Sequence, residues 1–211
     1  MIVREGFRKM LELEADIEIV GEAQDGRKAV AMIKKLKPAV VLMDIAMPRL
    51  NGLEATRQVL KEAPATKVLI LSAHSDDAYV KNAMESGAAG FLLKHTSAHE
   101  VCRAIREVAQ GKTFFSPSIA RHLEHQKTFD RAGMVKKKQT ELTSREMEVL
   151  QLIAEGKANK ETAAELGIGM KTVEKHREHL MQKLDIHDTA SLTRYAISAG
   201  VIESSVQLTI V

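Results

Sequence analysis

Three polar side chains that could handle a phosphoryl group each follow a short apolar run in the first half of the chain. Asp44 follows AVVLM, Ser72 follows KVLIL and Lys94 follows GFLL. If these runs are parallel strands, the three side chains lie at one edge of the sheet, where such folds bind ligands. A carboxylate can act as a nucleophile, a hydroxyl can bond a phosphoryl oxygen, and an ammonium group can neutralise its charge. Each residue alone is more often a turn former or a solvated side chain, but three at successive strand ends favour a phosphoryl site.

The elements that would position these side chains alternate between helix and strand. Short apolar runs without alternation indicate strands buried on both faces, and helices between them indicate parallel crossovers. We therefore predict a doubly wound α/β sheet. The spacing of apolar residues predicts helices over 3–14, 26–36, 52–62, 77–86 and 98–110, and strands over 17–23, 39–44, 67–73 and 90–94.

Three segments resemble the receiver domain of two-component response regulators, which has a flavodoxin-like α/β fold. They are VVLMDIAMPRLNG (40–52), LILSAH (69–74) and GAAGFLLK (87–94). The resemblance implies that a sensor histidine kinase phosphorylates Asp44, with Mg²⁺ as the required ion. It also implies that Ser72 is the switch hydroxyl, Phe91 the rotating aromatic ring and Lys94 the ammonium group of the site. Asp44 and the backbone carbonyl of Ala46 would be magnesium ligands.

The start of the chain departs from this family. A receiver domain begins with a strand that ends in an acidic pair, whereas residues 1–6 (MIVREG) have the pattern of the first helix. We therefore expect the first strand and the remaining acidic magnesium ligands to be missing, since Glu5 and Asp16 are not in register to replace them. Two explanations stay open: Met1 is an internal methionine of a longer protein, or the chain is a genuine short form.

The second half has the pattern of a helix-turn-helix. Thr143-Ser144-Arg145-Glu146 is a capping box, Asn159 can cap a short helix, and the Gly167–Gly169 turn precedes a longer helix over 170–184. In such motifs the N-terminal residues of the second helix contact base edges in the major groove. The charge of this segment does not decide between DNA binding and an ordinary solvated helix face, because acidic side chains alternate with the basic ones. The candidate DNA-binding residues on this helix are Lys171, Thr172, Val173, Lys175, His176, Arg177 and Lys183.

Two further segments resemble the LuxR/FixJ-type DNA-binding domain. They are LTSREMEVLQLIAEGKANKETAAELGI (142–168) and KTVEKHREHLMQKL (171–184). The resemblance implies a small all-α domain that binds promoter DNA, with phosphate contacts from Lys160 and Thr172 and a last helix, 188–199, that forms a homodimer. Two positions depart from the pattern. Gly169 replaces the usual Ser or Thr cap, and Thr162 replaces a usual apolar residue, which we expect to loosen the packing of its helix.

Composition excludes several classes of protein. The 31 basic and 28 acidic residues give a net charge of +3, which argues against a strongly basic nucleic-acid coat. Residues 112–139 hold seven basic and two acidic side chains, as in a hinge between domains. The single Cys102 excludes an internal disulfide and a cysteine-based zinc site. With no apolar run of about 18 residues and no signal peptide, we expect a cytoplasmic protein that does not enter membranes.

Together the resemblances predict a NarL/FixJ-type response regulator that is not an enzyme. The predicted domains are a truncated receiver (1–111), a linker (112–134), a LuxR-type helix-turn-helix domain (135–200) and a tail (201–211). Phosphorylation of Asp44 would control dimerisation and promoter binding, through a receiver surface that masks the DNA helix or blocks dimerisation. One alternative is a DNA-binding regulator with a degenerate receiver that works without phosphorylation. A haloacid-dehalogenase-like phosphatase would need a second acid at position 46, which is Ala.

Overall fold

The computed structural model describes residues 2–75, 77–115 and 142–202. Most of the predicted linker and the tail from residue 203 lie outside the described residues. The first half alternates helices and strands: α1 (Ile2–Leu11), α2 (Gly26–Leu36), β1 (Val40–Asp44), α3 (Gly52–Glu62), β2 (Lys67–Ser72), α4 (Asp77–Glu85), β3 (Gly90–Leu93), α5 (Ala98–Ala109) and β4 (Phe114–Phe115).

The four described strands form one parallel sheet in the order β1-β2-β3-β4. Asp44 pairs with Leu71 and Ser72 pairs with Leu93, so the ends of β1, β2 and β3 lie side by side. Apolar clusters cover the sheet, one of them with α2, α3 and α4 and another with α5. The predicted α/β class is confirmed. The strand order places Ser72, at the end of β2, between Asp44 at the end of β1 and Lys94 after β3.

Three predictions for the first half differ from the structure. The first helix ends at Leu11 rather than at residue 14. Residues 17–23 are not a strand; Gly21 instead lies close to Met32 and Leu36 of α2. A strand needs a hydrogen-bonding neighbour, and the described residues place none beside this segment. At the other edge, Phe114 and Phe115 pair with β3, so the sheet extends into the predicted linker. The expectation that the family's first strand and acidic pair are missing stays a prediction.

The second half is helical over its described residues. Its elements are α6 (Ser144–Ala154), α7 (Asn159–Leu166), α8 (Met170–Leu184) and α9 (Thr189–Ser198). α6 begins with the predicted capping box, in which Thr143 and Glu146 satisfy each other's backbone N–H groups. Gly167 ends α7 with a φ of 63°, a left-handed conformation that glycine adopts without strain. Leu150, Val173, Leu180 and Leu192 bring the helices together in one apolar core.

The two halves contact each other. α6 lies against the loop between β1 and α3, and Gln58 of α3 donates a hydrogen bond of 3.0 Å to Glu148. At the end of α9, the carbonyl of Ala199 accepts a hydrogen bond from Asn82 of α4. No helix among the described residues is long and apolar enough to span a membrane.

Candidate functional site

Asp44 and Lys94 form an ion pair at the carboxyl edge of the sheet. Lys94 Nζ lies 2.8 Å from Asp44 Oδ2, and the two side chains are 23% and 35% exposed. Asp44 is the last residue of β1 and Lys94 follows β3 directly, so β2 lies between their strands. The structure thus brings the predicted nucleophile and the predicted cation together at a position open to solvent.

Ser72 ends the strand that separates them. Its side chain is fully buried, and its Oγ accepts a hydrogen bond of 3.0 Å from the backbone N–H of His74. The backbone N–H of Lys94 donates to the carbonyl of Ser72 at 2.8 Å, which ties the ends of β2 and β3 together. Phe91 is also fully buried, within the core between the sheet and its helices. The ring therefore already occupies an interior position.

A short loop, residues 45–51, joins Asp44 to α3 and is called the acceptor loop below. The N–H of Ala46 donates to Asp44 Oδ1 at 3.1 Å. The N–H groups of Met47 and Gly52 both donate to the carbonyl of Ile45, at 3.0 and 2.9 Å. These two bonds connect the middle of the loop and the start of α3 to the residue that follows Asp44. Asn51 caps α3 through its side chain, which accepts from the N–H of Glu54.

The predicted magnesium ligands do not form a complete site in the described part of the chain. There, no group of three or more acidic, histidine or cysteine side chains is placed to hold a metal ion. Glu5 pairs with Lys9 on α1, and Asp16 pairs with Arg106 on α5. Asp44 contributes the carboxylate at this edge. Mg²⁺ in proteins usually binds one or two carboxylates along with phosphate oxygens and waters, so Asp44 would meet the lower end of this requirement, with the carbonyl of Ala46 as a further ligand.

The candidate DNA-contacting residues separate by burial. Lys160, Lys171, Thr172 and Lys175 are exposed, and His176 is half-buried. Val173, in contrast, is fully buried against the core of the domain. Its inclusion among the DNA-binding residues is therefore wrong, because position 173 lies on the stripe of α8 that packs inward.

Two other candidate side chains on α8 bind within the protein. Arg177 donates to Asn159 Oδ1 at 3.3 Å and to Thr189 Oγ1 at 2.6 Å, which connects α8 to the starts of α7 and α9. Lys183 Nζ lies 2.6 Å from the buried carboxylate of Glu146. Asn159 does not cap α7 as predicted; the helix begins at Asn159, and Ala158 stands at the cap without a side-chain bond.

Sequence reasoning missed the residues that join the two halves. Glu148 and Gln151 lie on one face of α6, Glu155 follows the helix directly, and all three bond the receiver half. Polar residues at this spacing are typical of a solvated helix face, so the sequence carried no signal that distinguishes them. Their burial, 6% exposed for Glu148 and 1% for Gln151, appears only in the folded chain.

Comparison with known proteins assigns both halves. Residues 1–106 match the response regulator receiver domain, and residues 140–196 match the LuxR family of bacterial regulatory proteins. The transcriptional regulatory protein DegU of Brevibacillus brevis is 35% identical in an alignment of 215 residues that covers 96% of this chain and 91% of that protein. The response regulator VraR of Staphylococcus aureus is 35% identical over 206 residues, 96% of this chain and 94% of that protein.

Solved structures give the same architecture. The RcsB response regulator of Salmonella typhimurium is 26% identical, covers 93% of both chains and superposes with a TM-score of 0.55. A receiver domain followed by a LuxR-type helix-turn-helix domain is thus shared with proteins aligned over nearly the whole chain. The chain belongs to the NarL/FixJ-type response regulators of two-component systems.

Proposed function

We propose that a sensor histidine kinase phosphorylates Asp44 and that this modification controls dimerisation and promoter binding. The observation that carries the proposal is the Asp44–Lys94 pair of 2.8 Å at the carboxyl edge of the sheet, next to the end of β2 that carries Ser72. The chain acts as a DNA-binding transcriptional regulator, as its two domains and its relatives indicate.

The residues at this edge suit phosphoryl transfer. An Asp44 carboxylate oxygen attacks the phosphorus of a phosphohistidine, the P–N bond breaks, and the imidazole leaves and takes up a proton. Lys94 Nζ neutralises the added charge, and the Ser72 hydroxyl donates to a phosphoryl oxygen when it moves out of its bond with the His74 N–H. Receiver domains generally use Mg²⁺ to screen the phosphoryl charge; Asp44 and the carbonyl of Ala46 are this chain's candidate ligands.

DNA binding rests on the exposed start of α8. Lys171, Thr172 and Lys175 project from the first turns of that helix without burial by the receiver half. The RcsB regulator, which shares this architecture, has been solved as dimers bound to DNA. We assign α9 as the dimer helix and Lys160 as a phosphate contact. The contacts between the halves leave Lys171, Thr172 and Lys175 exposed. This arrangement supports control through dimerisation rather than through masking of α8.

Labelling with a small phosphodonor tests the site. Asp44→Asn should abolish incorporation of phosphate from phosphoramidate in the presence of Mg²⁺, because the amide is not a nucleophile at this position. Asp185→Asn is the matched control, since that carboxylate is 96% exposed in the second half. Undiminished labelling of the Asp44 variant would refute the assignment.

A lysine substitution tests the DNA surface. Lys175→Ala should weaken promoter binding and reduce the slope of log affinity against log salt by about one, as loss of one phosphate contact does. Lys61→Ala removes the same charge from the exposed face of α3 and should leave both unchanged. Equal losses in the two variants would show that net charge, not the start of α8, determines binding.

A second candidate function follows from the single carboxylate of the site. No group of three or more acidic, histidine or cysteine side chains lies together among the described residues, and weak Mg²⁺ binding at Asp44 would leave a regulator that binds DNA without phosphorylation. This candidate predicts no labelling of the 211-residue chain at any Mg²⁺ concentration, with promoter binding equal in wild type and Asp44→Asn. Labelling confined to Asp44 excludes it.

A further inference from the structure

A side chain of the DNA-binding half reaches the loop beside Asp44. Gln151, in the middle of α6, donates through Nε2 to the carbonyl of Met47 at 2.9 Å and accepts through Oε1 from the N–H of Asn51 at 2.7 Å. Nε2 also donates to Glu155 Oε1 at 2.7 Å, and that oxygen accepts from the N–H of Arg49 at 3.1 Å. Gln151 and Glu155, the residue that follows α6, thus hold the backbone of the acceptor loop at three places.

The held backbone is directly connected to the carboxylate of Asp44. Met47 follows Ala46, whose N–H donates to Asp44 Oδ1, while Lys94 occupies Oδ2. Both carboxylate oxygens are therefore engaged when the loop has this conformation. A phosphoryl group bonded to Oδ1 would crowd the Ala46 N–H and make Oδ1 a weaker acceptor, and a loop fixed at Met47 and Asn51 resists the shift that relieves this crowding.

Gln151 differs from the other contacts between the halves. Glu148 bonds the side chains of Arg27 and Gln58, at 2.9 and 3.0 Å, and flexible side chains can follow small movements of the loop. The buried amide of Gln151 instead bonds one carbonyl and one N–H of the main chain. Because buried polar groups require partners, both bonds can form only with an acceptor loop that presents these two groups together.

We propose that Gln151 is a positioning residue for Asp44: docking of the DNA-binding half fixes the acceptor loop and slows phosphoryl transfer to Asp44. The effect on transfer rests on the proposed function, whereas the effect on the loop does not. Coupling between two sites is reciprocal. Phosphorylation of Asp44 therefore weakens the hold of Gln151, and release of α6 makes Asp44 easier to phosphorylate.

Amide hydrogen exchange in the unphosphorylated full-length chain tests the positioning. Gln151→Leu removes the acceptor of the Asn51 N–H and should speed its exchange at least about tenfold, while amides in β2 keep their wild-type rates. Gln182→Leu makes the same change on α8, where Gln182 bonds Glu178 and not the receiver half. Unchanged exchange at Asn51, or an equal increase throughout β2, would overturn the proposal.

The rate of labelling by phosphoramidate with Mg²⁺ tests the consequence. Gln151→Leu should be labelled on Asp44 at least about fivefold faster than wild type, the lower end of common couplings between sites. Gln182→Leu should match wild type. Equal rates in all three proteins would refute the restraint on Asp44. If none is labelled, phosphorylation is refuted, and the exchange at Asn51 still decides whether Gln151 positions the loop.

Discussion

Buried polar side chains in the DNA-binding half differ in whether they have partners. Glu146 is 3% exposed but accepts from Lys183 Nζ and from the N–H of Thr143. Thr162 is fully buried, and its Oγ1 has no hydrogen-bond partner among the described residues. A buried hydroxyl without a partner costs free energy; the expectation that Thr162 loosens the packing of α7 stays a prediction.

We predict that Thr162→Val stabilises the protein. Valine has nearly the same shape and removes the unpaired hydroxyl, so the free energy of unfolding should rise by about 1 kcal/mol. Urea denaturation followed by circular dichroism measures this change. Thr193→Val, at a hydroxyl that donates to the carbonyl of Thr189 on the surface of α9, is the control and should not stabilise. A lower stability for Thr162→Val would contradict the interpretation.

The ion pair of Glu146 predicts a pH dependence. Burial alone would raise the pKa of the Glu146 carboxyl, but hydrogen bonds from Lys183 and Thr143 hold that pKa below its ordinary value of 4.5. The folded state therefore binds this proton less tightly than the unfolded state. The stabilisation is complete above pH 4.5 and is lost as the pH falls through the lowered pKa.

Lys183→Met should destabilise the protein by about 1–3 kcal/mol at pH 7, because it leaves a buried carboxylate without its cation. The difference from wild type should shrink as the pH falls below 4.5, where Glu146 becomes protonated. Urea denaturation at pH 7, 5 and 3.5 measures both effects. A difference that is constant over this range would exclude Glu146 as the cause.

The end of β1 and the start of α3 approach each other too closely to leave room for a side chain between them. Gly52, the first residue of α3, lies so close to the end of β1 that a Cβ atom there would be 2.0 Å from the carbonyl oxygen of Asp44. This approach brings α3 to the acceptor loop and allows the Gly52 N–H to bond Ile45. The absence of a side chain at Gly52 thus allows α3 to begin directly beside Asp44.

Gly52→Ala should destabilise the receiver half by at least about 2 kcal/mol, since the neighbouring atom is main chain and cannot rotate away. Thermal unfolding of the full chain measures the loss. Gly6→Ala is the control with the opposite sign: Gly6 lies inside α1 with open space around it, and alanine there should stabilise by about 0.5–1 kcal/mol. Wild-type stability for Gly52→Ala would show that β1 and α3 can separate freely.

Across the whole molecule, the receiver half contacts both ends of the DNA-binding half. α6 meets the acceptor loop, while the segment after α9 meets α4, where Gly200 lies against the ring of Tyr79 and Asn82 bonds Ala199. The start of α8 stays exposed. Docking therefore occupies the end of the proposed dimer helix and leaves the proposed DNA-reading residues accessible.

Asn82→Ala should increase dimer formation, because it removes a bond that holds the end of α9 to the receiver half. Sedimentation velocity over a range of protein concentrations measures the association constant, for which we expect an increase of about threefold to tenfold from loss of one hydrogen bond. Lys81→Ala, at an exposed neighbour on α4, should leave association unchanged. An unchanged association constant for Asn82→Ala would show that the bond between Asn82 and Ala199 does not restrain dimerisation through α9.

The sequence alone determined features that depend on neighbours three or four residues apart or on a shared motif. The α/β class, the bounds of α2 to α5, α8 and α9 within one or two residues, and the placement of Asp44, Ser72 and Lys94 at strand ends follow from apolar spacing, caps and motif residues. These signals are local, because a helix or a buried strand is encoded in its own residues.

Tertiary structure decided what depends on distant partners. Residues 17–23 have the composition of a strand but lack a described neighbour to pair with, and Lys183 binds Glu146 instead of facing solvent. The polar pattern of α6 was compatible with a solvated surface; packing against a loop 100 residues earlier in the chain buries Gln151. A side chain's type sets which bonds it can make, but only the folded chain supplies the group that it bonds.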